Sequence, residues 1–256
     1  MLNTHEKQYH IGASFGEIGK YCILPGDPAR CEKIAAYLDD SYHLCTNREY
    51  NIWNGYLCGE LVTVCSTGIG GPSTAIAVEE LFACGASTFI RVGTCGGIDI
   101  GVKSGDVVIS TGAVRQDGTS REYAPIEFPA VSDPKVLMAL ISAAEQEGFD
   151  YRAGVVQSKD SFYGQHSPTR MPTSAELLEK WEAWKRLGVL ASEMEASTLF
   201  TVAASLGVSA GAVFLCVWNQ ERYNAGLDGD GEEEHDTEKA IRTAVEAIKK
   251  LMAKKV

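Results

Sequence analysis

Arg91-Val92-Gly93-Thr94-Cys95-Gly96-Gly97 directly follows the apolar-rich stretch Ser87-Thr88-Phe89-Ile90. A strand runs into a glycine-rich turn there, with a fixed cation at the junction and a hydroxyl three residues on. Glycines let backbone approach a ligand closely, and the N–H groups of such a turn line an anion site. Arginine adds a planar fork of donors that matches phosphate and stays charged near neutrality. The chemistry this suggests is phosphate binding; a strand end with a salt-bridged arginine fits the segment equally well. Pro25-Gly26-Asp27-Pro28-Ala29-Arg30 is a second candidate cradle, a Gly-Asp-Pro turn with Arg30 on the first turn of a helix. On its own it is also an ordinary helix start with a surface arginine.

Two further segments offer sugar and base chemistry. Ser192-Glu193-Met194-Glu195-Ala196-Ser197 reads as the start of a helix. Carboxylates two residues apart lie about 200° apart around a regular helix, so both cannot face one site. One is suited to accept two hydroxyl hydrogen bonds from a sugar diol while the other caps the helix; acids that merely favour the helix dipole are the alternative. In Ser161-Phe162-Tyr163-Gly164-Gln165-His166-Ser167-Pro168, Phe162 suits the face of a flat heterocycle and Gln165 an amide edge. A packed loop with a solvent-facing glutamine has the same sequence pattern.

Other chemistries are disfavoured. Ser66-Thr67-Gly68-Ile69-Gly70-Gly71-Pro72-Ser73 has Ser73 where a dinucleotide fingerprint needs its third glycine, and no Gly-Lys-Ser/Thr occurs. Asp228-x-Asp230 begins like a calcium loop, but Glu233 stands where the loop needs glycine. The acidic, glycine-rich segment 226–234 therefore reads as a mobile surface loop. Eight cysteines without a C-x-x-C pair fit a reduced, cytoplasmic protein, and none of the five histidines has metal-ligand spacing to a cysteine. The polar stretch from Met1 to His10 contains no secretory apolar region. The balance of 23 basic against 34 acidic residues, net −11, argues against nucleic acid as partner. The lack of an 18-residue apolar run argues against a membrane span.

The elements that must position these residues alternate. Strands are predicted at 21–24, 61–66, 87–92, 106–110, 154–158 and 210–217, several of them continuously apolar, as in strands covered on both faces. Helices are predicted at 28–38, 72–84, 134–148, 174–187, 193–206 and 237–254, with Gly71-Pro72 and Asp133-Pro134 as start signals. The pattern implies one α/β domain with a largely parallel or mixed sheet.

Gly-Asp-Pro-x-Arg at 26–30, Cys-Ser-Thr-Gly-Ile-Gly-Gly-Pro-Ser at 65–73, Arg-Val-Gly-Thr-x-Gly at 91–96, Phe-Tyr-Gly-Gln at 162–165 and Glu-Met-Glu at 193–195 occur in the order seen in the hexameric nucleoside phosphorylases. From His10 to the final helix the chain resembles that family, and its uridine-cleaving branch most. Arg-Glu-Tyr at 48–50, Glu-Phe-Pro-Ala-Val at 127–131 and Val-Ala-Ala-Ser-Leu-Gly at 202–207 add to the resemblance. It implies a single domain over 1–256, with a central mixed, partly barrel-like β-sheet flanked by helices. The implied activity is a pentosyl transfer in pyrimidine salvage. Phosphate displaces the base of uridine, and of deoxyuridine or thymidine, with inversion at C1′, giving uracil and ribose 1-phosphate.

The resemblance also assigns residues. Gly26, Arg30, Arg91 and Thr94 hold phosphate, with Arg48 entering from a neighbouring subunit. Glu195 accepts from the ribose hydroxyls, Met194 packs on the sugar, and His10 of the neighbour bonds the 5′-hydroxyl. Phe162 and Gln165 hold the pyrimidine, bordered by Gly96, and Thr94 also touches the nucleoside. Arg91, Gln165 and Glu195 are the implied catalytic set. Glu49, Ile69 and Ser73 resemble a monovalent-cation site for potassium at a dimer interface. No other cofactor is implied; inorganic phosphate is the co-substrate, and the assembly is a homo-hexamer, a trimer of dimers with shared sites. Segment 226–234 is expected to close over the base.

Two departures stand out: Ser167 replaces the usual arginine two residues after the glutamine, leaving His166 or Arg170 as substitutes, and Gln220 replaces another, with Arg222 close. Purine nucleoside phosphorylase is the main rival, although Trp218-Asn219 lacks the acid of the purine enzymes. A nucleosidase would lack the phosphate arginines, and a non-catalytic nucleoside-binding protein would have a broken phosphate site; Arg30, Arg48 and Arg91 are all present.

Overall fold

Strands whose every residue is apolar must be covered on both faces, and the computed structural model, which describes residues 7–229, 231 and 233–253, covers them. In chain order the elements are β1 (Tyr21–Pro25), α1 (Ala29–Ala35), β2 (Asp39–Asn47), β3 (Tyr50–Leu57), β4 (Glu60–Cys65), α2 (Gly71–Ala83), β5 (Thr88–Gly97), β6 (Val107–Gln116), α3 (Thr119–Tyr123), β7 (Ala130–Val131), α4 (Pro134–Glu147), β8 (Tyr151–Lys159), α5 (Phe162–His166), α6 (Ser174–Arg186), β9 (Ala191–Glu193), α7 (Ala196–Leu206), β10 (Ser209–Asn219), α8 (Gln220–Asn224) and α9 (Glu238–Ala253). All six predicted strands and all six predicted helices are present, the last helix ending at Ala253 because Lys254 lies outside the described residues. The two proline starts hold: Pro72 opens α2, and Asp133 caps α4 by accepting from the N–H groups of Lys135 and Val136.

The sheet is mixed and partly closed. β5 runs parallel to β10, which is antiparallel to β6; β6 and β8 are parallel, β8 and β9 are parallel, and β9 returns antiparallel to β5. These five strands form a ring. From β5 the sheet extends outward through parallel β1 and β4 to antiparallel β3 and β2. The result is a single α/β domain with a barrel-like centre, as expected. One core packs α2 and α7 against residues such as Phe89, Val108 and Phe214; the other packs α1, α4 and α9 against Ile90, Ile109 and Val213. Among the described residues no helix is long and apolar enough to cross a membrane.

The ring is tight where β5 leaves it. A Cβ on Gly93 would lie 2.9 Å from the Phe214 ring, and one on Gly97 would lie 2.7 Å from Cγ of the buried Asn219. Asn219 has no room to yield, because its Nδ2 donates to the Asp99 and Val102 carbonyls at 2.8 and 2.9 Å. Gly97→Ala is expected to lower stability by about 1–3 kcal/mol through overpacking. Urea unfolding reads this directly; an unchanged midpoint would show that the closure has slack.

Candidate active site

β4, β1 and β5 are parallel neighbours, so their carboxyl ends open onto one edge of the sheet, where open α/β sheets bind ligands. The loops continue the pairing: Thr67 N–H donates to the Pro25 carbonyl at 2.9 Å, and Gly68 N–H to that of Gly26 at 3.0 Å. A Cβ on Gly26 would sit 3.2 Å from the Gly68 carbonyl and 3.7 Å from Arg91 Nη2. Gly26, the 67–70 loop and Arg91 thus line one cradle.

Arg91 is buried at its floor. Its Nη2 donates to Glu195 Oε2, its Nη1 to Thr67 Oγ1 at 3.4 Å, and its Nε lies 3.6 Å from Glu193 Oε2 without a hydrogen-bond acceptor. Glu195 also accepts from Gly70 N–H at 2.6 Å, tying the amino end of α2 to the same carboxylate. Arg30 is held below its ordinary pKa by burial and then by the charge of Arg91, with Asp27 opposing. Arg30, on the first turn after the Gly26 loop, is thus near enough to Arg91 for the two charges to repel, and an anion relieves that repulsion.

The expectation that Glu193 and Glu195 cannot share a site is overturned. It assumed helix through both, whereas Glu193 ends β9 and Glu195 is the residue before the first turn of α7. Off the helix, the angular rule does not apply, and both carboxylates reach Arg91. The division of labour survives: Glu193 accepts from the N–H groups of Glu195 at 2.9 Å and Ala196 at 3.0 Å, capping α7. Burial pushes the Glu193 carboxyl up and the Glu195 charge adds to this, against Arg91.

The base-reading candidates meet around Ser192, next to Glu193 in β9. Ser161 caps α5 through Gly164 N–H at 2.9 Å, setting Phe162 half-exposed at its start. Gln165 Oε1 lies 2.6 Å from Ser192 Oγ, and a Cβ on Gly96 would lie 3.9 Å from Gln165 Nε2. Thr94 and Met194 are half-buried, one three residues beyond Arg91 and the other between the two glutamates. The proposed substitutes for the missing arginines each have a partner within the chain. Arg170 lies over the Tyr163 ring at 5.2 Å, His166 stacks on Phe162 at 4.2 Å, and Arg222 binds Asp228 and the Ile100 carbonyl. Gln220 donates to Asn224 at 2.9 Å. In segment 226–234, Asp228 is thereby anchored, while Asp230 and Glu232 lie outside the described residues.

His10 and Arg48 are not brought to this cradle within the chain. His10 is fixed by the buried Glu80, its Nδ1 at 2.6 Å from Oε1 and its N–H at 3.0 Å from Oε2. Arg48, at a positive φ of 54°, lies over the exposed Tyr9, and Asn47 bonds the Tyr9 and His10 carbonyls. Neither residue bonds Arg30, Arg91 or Glu195 among the described residues. Glu49 and Ser73 flank Gly68, with Ser73 Oγ donating to the Ile69 carbonyl at 3.2 Å.

Residues 20–255 match the model of the phosphorylase superfamily. The chain belongs to that superfamily. It is 54% identical over 252 residues to a uridine phosphorylase of Treponema pallidum (strain Nichols), covering 98% of this chain and 97% of the relative. It is 43% identical over 246 residues to a uridine phosphorylase of Thermococcus kodakarensis, covering 94% and 86%. It is 39% identical over 247 residues to a guanosine phosphorylase of Halorubrum lacusprofundi, covering 94% and 98%.

In this phosphorylase the sequence pattern did not mark one residue that the fold places beside the base-reading group. Lys159 ends β8, is buried, and donates to Ser192 Oγ at 2.6 Å. The only hint was the polar run Gln157-Ser158-Lys159 directly after the apolar Val155-Val156. Burial lowers the ammonium from 10.5 to about 8, with Glu193, Glu195 and Cys95 opposing. Below that value the folded state bears the full penalty of a buried cation, on the order of 3 kcal/mol. Between it and 10.5 the unfolded chain binds more protons, so the penalty fades as pH rises. Lys159→Met is therefore expected to melt higher than wild type at neutral pH, with the gap closing towards about pH 10. A gap independent of pH would contradict the burial penalty.

Proposed function

We propose that the protein catalyses the phosphorolysis of uridine, and of deoxyuridine or thymidine, to free base and pentose 1-phosphate, with inorganic phosphate as co-substrate. The observation that carries this is the pair of guanidiniums, Arg30 and Arg91, at a glycine-lined cradle with Glu195 against Arg91. Gly26, Arg30, Arg91 and Thr94 would hold phosphate. Glu195, with Met194 beside it, would take the ribose hydroxyls. As phosphate takes Arg91, Glu195 loses its partner and turns to the sugar diol, so each ligand prepares the site for the other. Cleavage through an oxocarbenium-like state places positive charge at C1′ beside the bound dianion, whose orientation by two arginines lowers the entropic cost. Phe162, Gln165 and Gly96 would receive the pyrimidine.

A homo-hexamer of dimers, in the cytoplasm, is the proposed assembly. The separation of His10 and Arg48 from the cradle supports their entry into a neighbour's site. Glu49, Ile69 and Ser73 would hold potassium where the dimers meet, and segment 226–234 would cover the base. The Halorubrum relative favours a purine reading. Against it stands Asn219, whose amide is fully used in the fold: Oδ1 accepts from Glu221 and Arg222 N–H while Nδ2 donates to two carbonyls, and no acid replaces it.

Base release from uridine, thymidine and inosine, each with and without phosphate, tests the reading. Phosphate-dependent uracil release is expected; release from inosine alone would support the purine reading, and release without phosphate would make the enzyme a nucleosidase. Sharing of sites has its own check. Arg48→Ala and Arg91→Ala proteins, each inactive, should regain turnover when mixed into hybrids, and hybrids that stay inactive would refute it.

A further inference from the structure

Lys159 has more donor capacity than the protein uses. An ammonium carries three N–H groups, yet among the described residues its one hydrogen-bond partner is Ser192 Oγ at 2.6 Å, and no carboxylate lies within ion-pair distance. A buried cation in this state is costly and is rarely kept without a use. Its surroundings indicate the use. Gln157 and Lys159, two apart on β8, project to one face, and both meet Ser192. The Ser192 hydroxyl has a single proton and two acceptors in reach, Gln157 Oε1 at 2.5 Å and Gln165 Oε1 at 2.6 Å. With Gln157 held at its other end by Gln116, the proton can stay with Gln157 while Gln165 turns to a ligand. Lys159 then meets the same hydroxyl, on the Ser192 that pairs with Gly96 where β9 joins β5.

On this basis, and resting on the phosphorolysis reading above, we propose that Lys159 is a catalytic residue: its ammonium donates to a carbonyl oxygen of the pyrimidine and stabilises the departing base. A phosphate oxygen lone pair forms the C1′–O bond as the C1′–N1 pair leaves with the base and spreads onto its carbonyl oxygens. Lys159 keeps its proton, and the uracil anion takes one from water after release. The cation missing at Ser167 is thus supplied from β8 rather than from His166 or Arg170. Burial lowers its pKa against three groups, Glu193 at the end of β9, Glu195 just before α7 and Cys95 of β5, while His166 of α5 faces it with its own pKa lowered by burial and by Lys159. With the ammonium poised at about 8, activity should decline as pH rises past that value.

The test compares wild type, Lys159→Met and Lys159→Arg on uridine and 5-fluorouridine across pH. Phosphate-dependent uracil release by wild type decides the underlying reading separately; the variants decide the role of Lys159. Lys159→Met is expected to lose about 10²–10³-fold in kcat/KM on uridine, as when an oxyanion donor is removed. The loss should be several-fold smaller on 5-fluorouridine, whose base is the more stable anion, with the KM for phosphate nearly unchanged. Lys159→Arg should retain activity and shift the alkaline decline upward. Equal losses on the two nucleosides, or near-wild-type turnover in Lys159→Met, would overturn the proposal. Should Lys159→Met fail to fold, an alkaline limb unmoved in Lys159→Arg would overturn it equally.

Discussion

The buried guanidinium of Arg91 is the constraint to which the rest of the site conforms. An ion moved out of water costs several kcal/mol even after relaxation, so it persists only where partners are fixed around it. Here the partners come from three places in the chain: Glu193 at the end of β9 with Glu195 just before α7, Thr67 in the glycine loop after β4, and the glycine loop after β1 that leaves room for it. β5 holds Arg91 rigidly because it is paired on both sides, with Leu24 of β1 and Ala212 of β10. A rigid cation whose partner is a carboxylate can take another anion in its place.

Closure of the barrel serves the same end. The three residues of β9 bridge β8 and β5, and that short link presents Ser192 to Gln165 and Glu193 to Arg91 on adjacent positions. Alternation along a strand sends neighbours to opposite faces, so one dipeptide serves two neighbouring subsites. Glu193 then caps α7, and Asp117 at the end of β6 fixes the same helix through Thr198 Oγ1 at 2.9 Å. Phosphate, sugar and base would thereby be held by elements that share hydrogen bonds, which supports a concerted displacement.

Much of this was legible in the sequence, and what was not has physical reasons. β1, β5 and β10 announce themselves because both faces are buried and their residues are mostly apolar. β2 and β3 did not: β2 is largely exposed and polar, and it is held by backbone pairing with β3 rather than by an apolar face. β9 is too short for any periodicity to show. Arg30, Arg91, Gln165 and Glu195 were marked as candidates through local turn chemistry and family resemblance. The shared approach of Glu193 and Glu195 was missed because a helix was begun at 193, three residues ahead of the observed start at Ala196. Lys159 was missed because a lysine closing a strand looks like a surface residue until the ring of strands encloses it.

Exchange of partners at Arg91 is the central claim, and a binding measurement addresses it without turnover. Phosphate affinity would be titrated calorimetrically, alone and with a saturating nucleoside analogue whose glycosidic bond cannot break. If the first ligand to bind breaks the Arg91–Glu195 pair for both, phosphate should bind at least fivefold more tightly with the analogue present, and the analogue should gain by the same factor with phosphate. Equal phosphate affinity in the two titrations would mean that the pair is not the link between them.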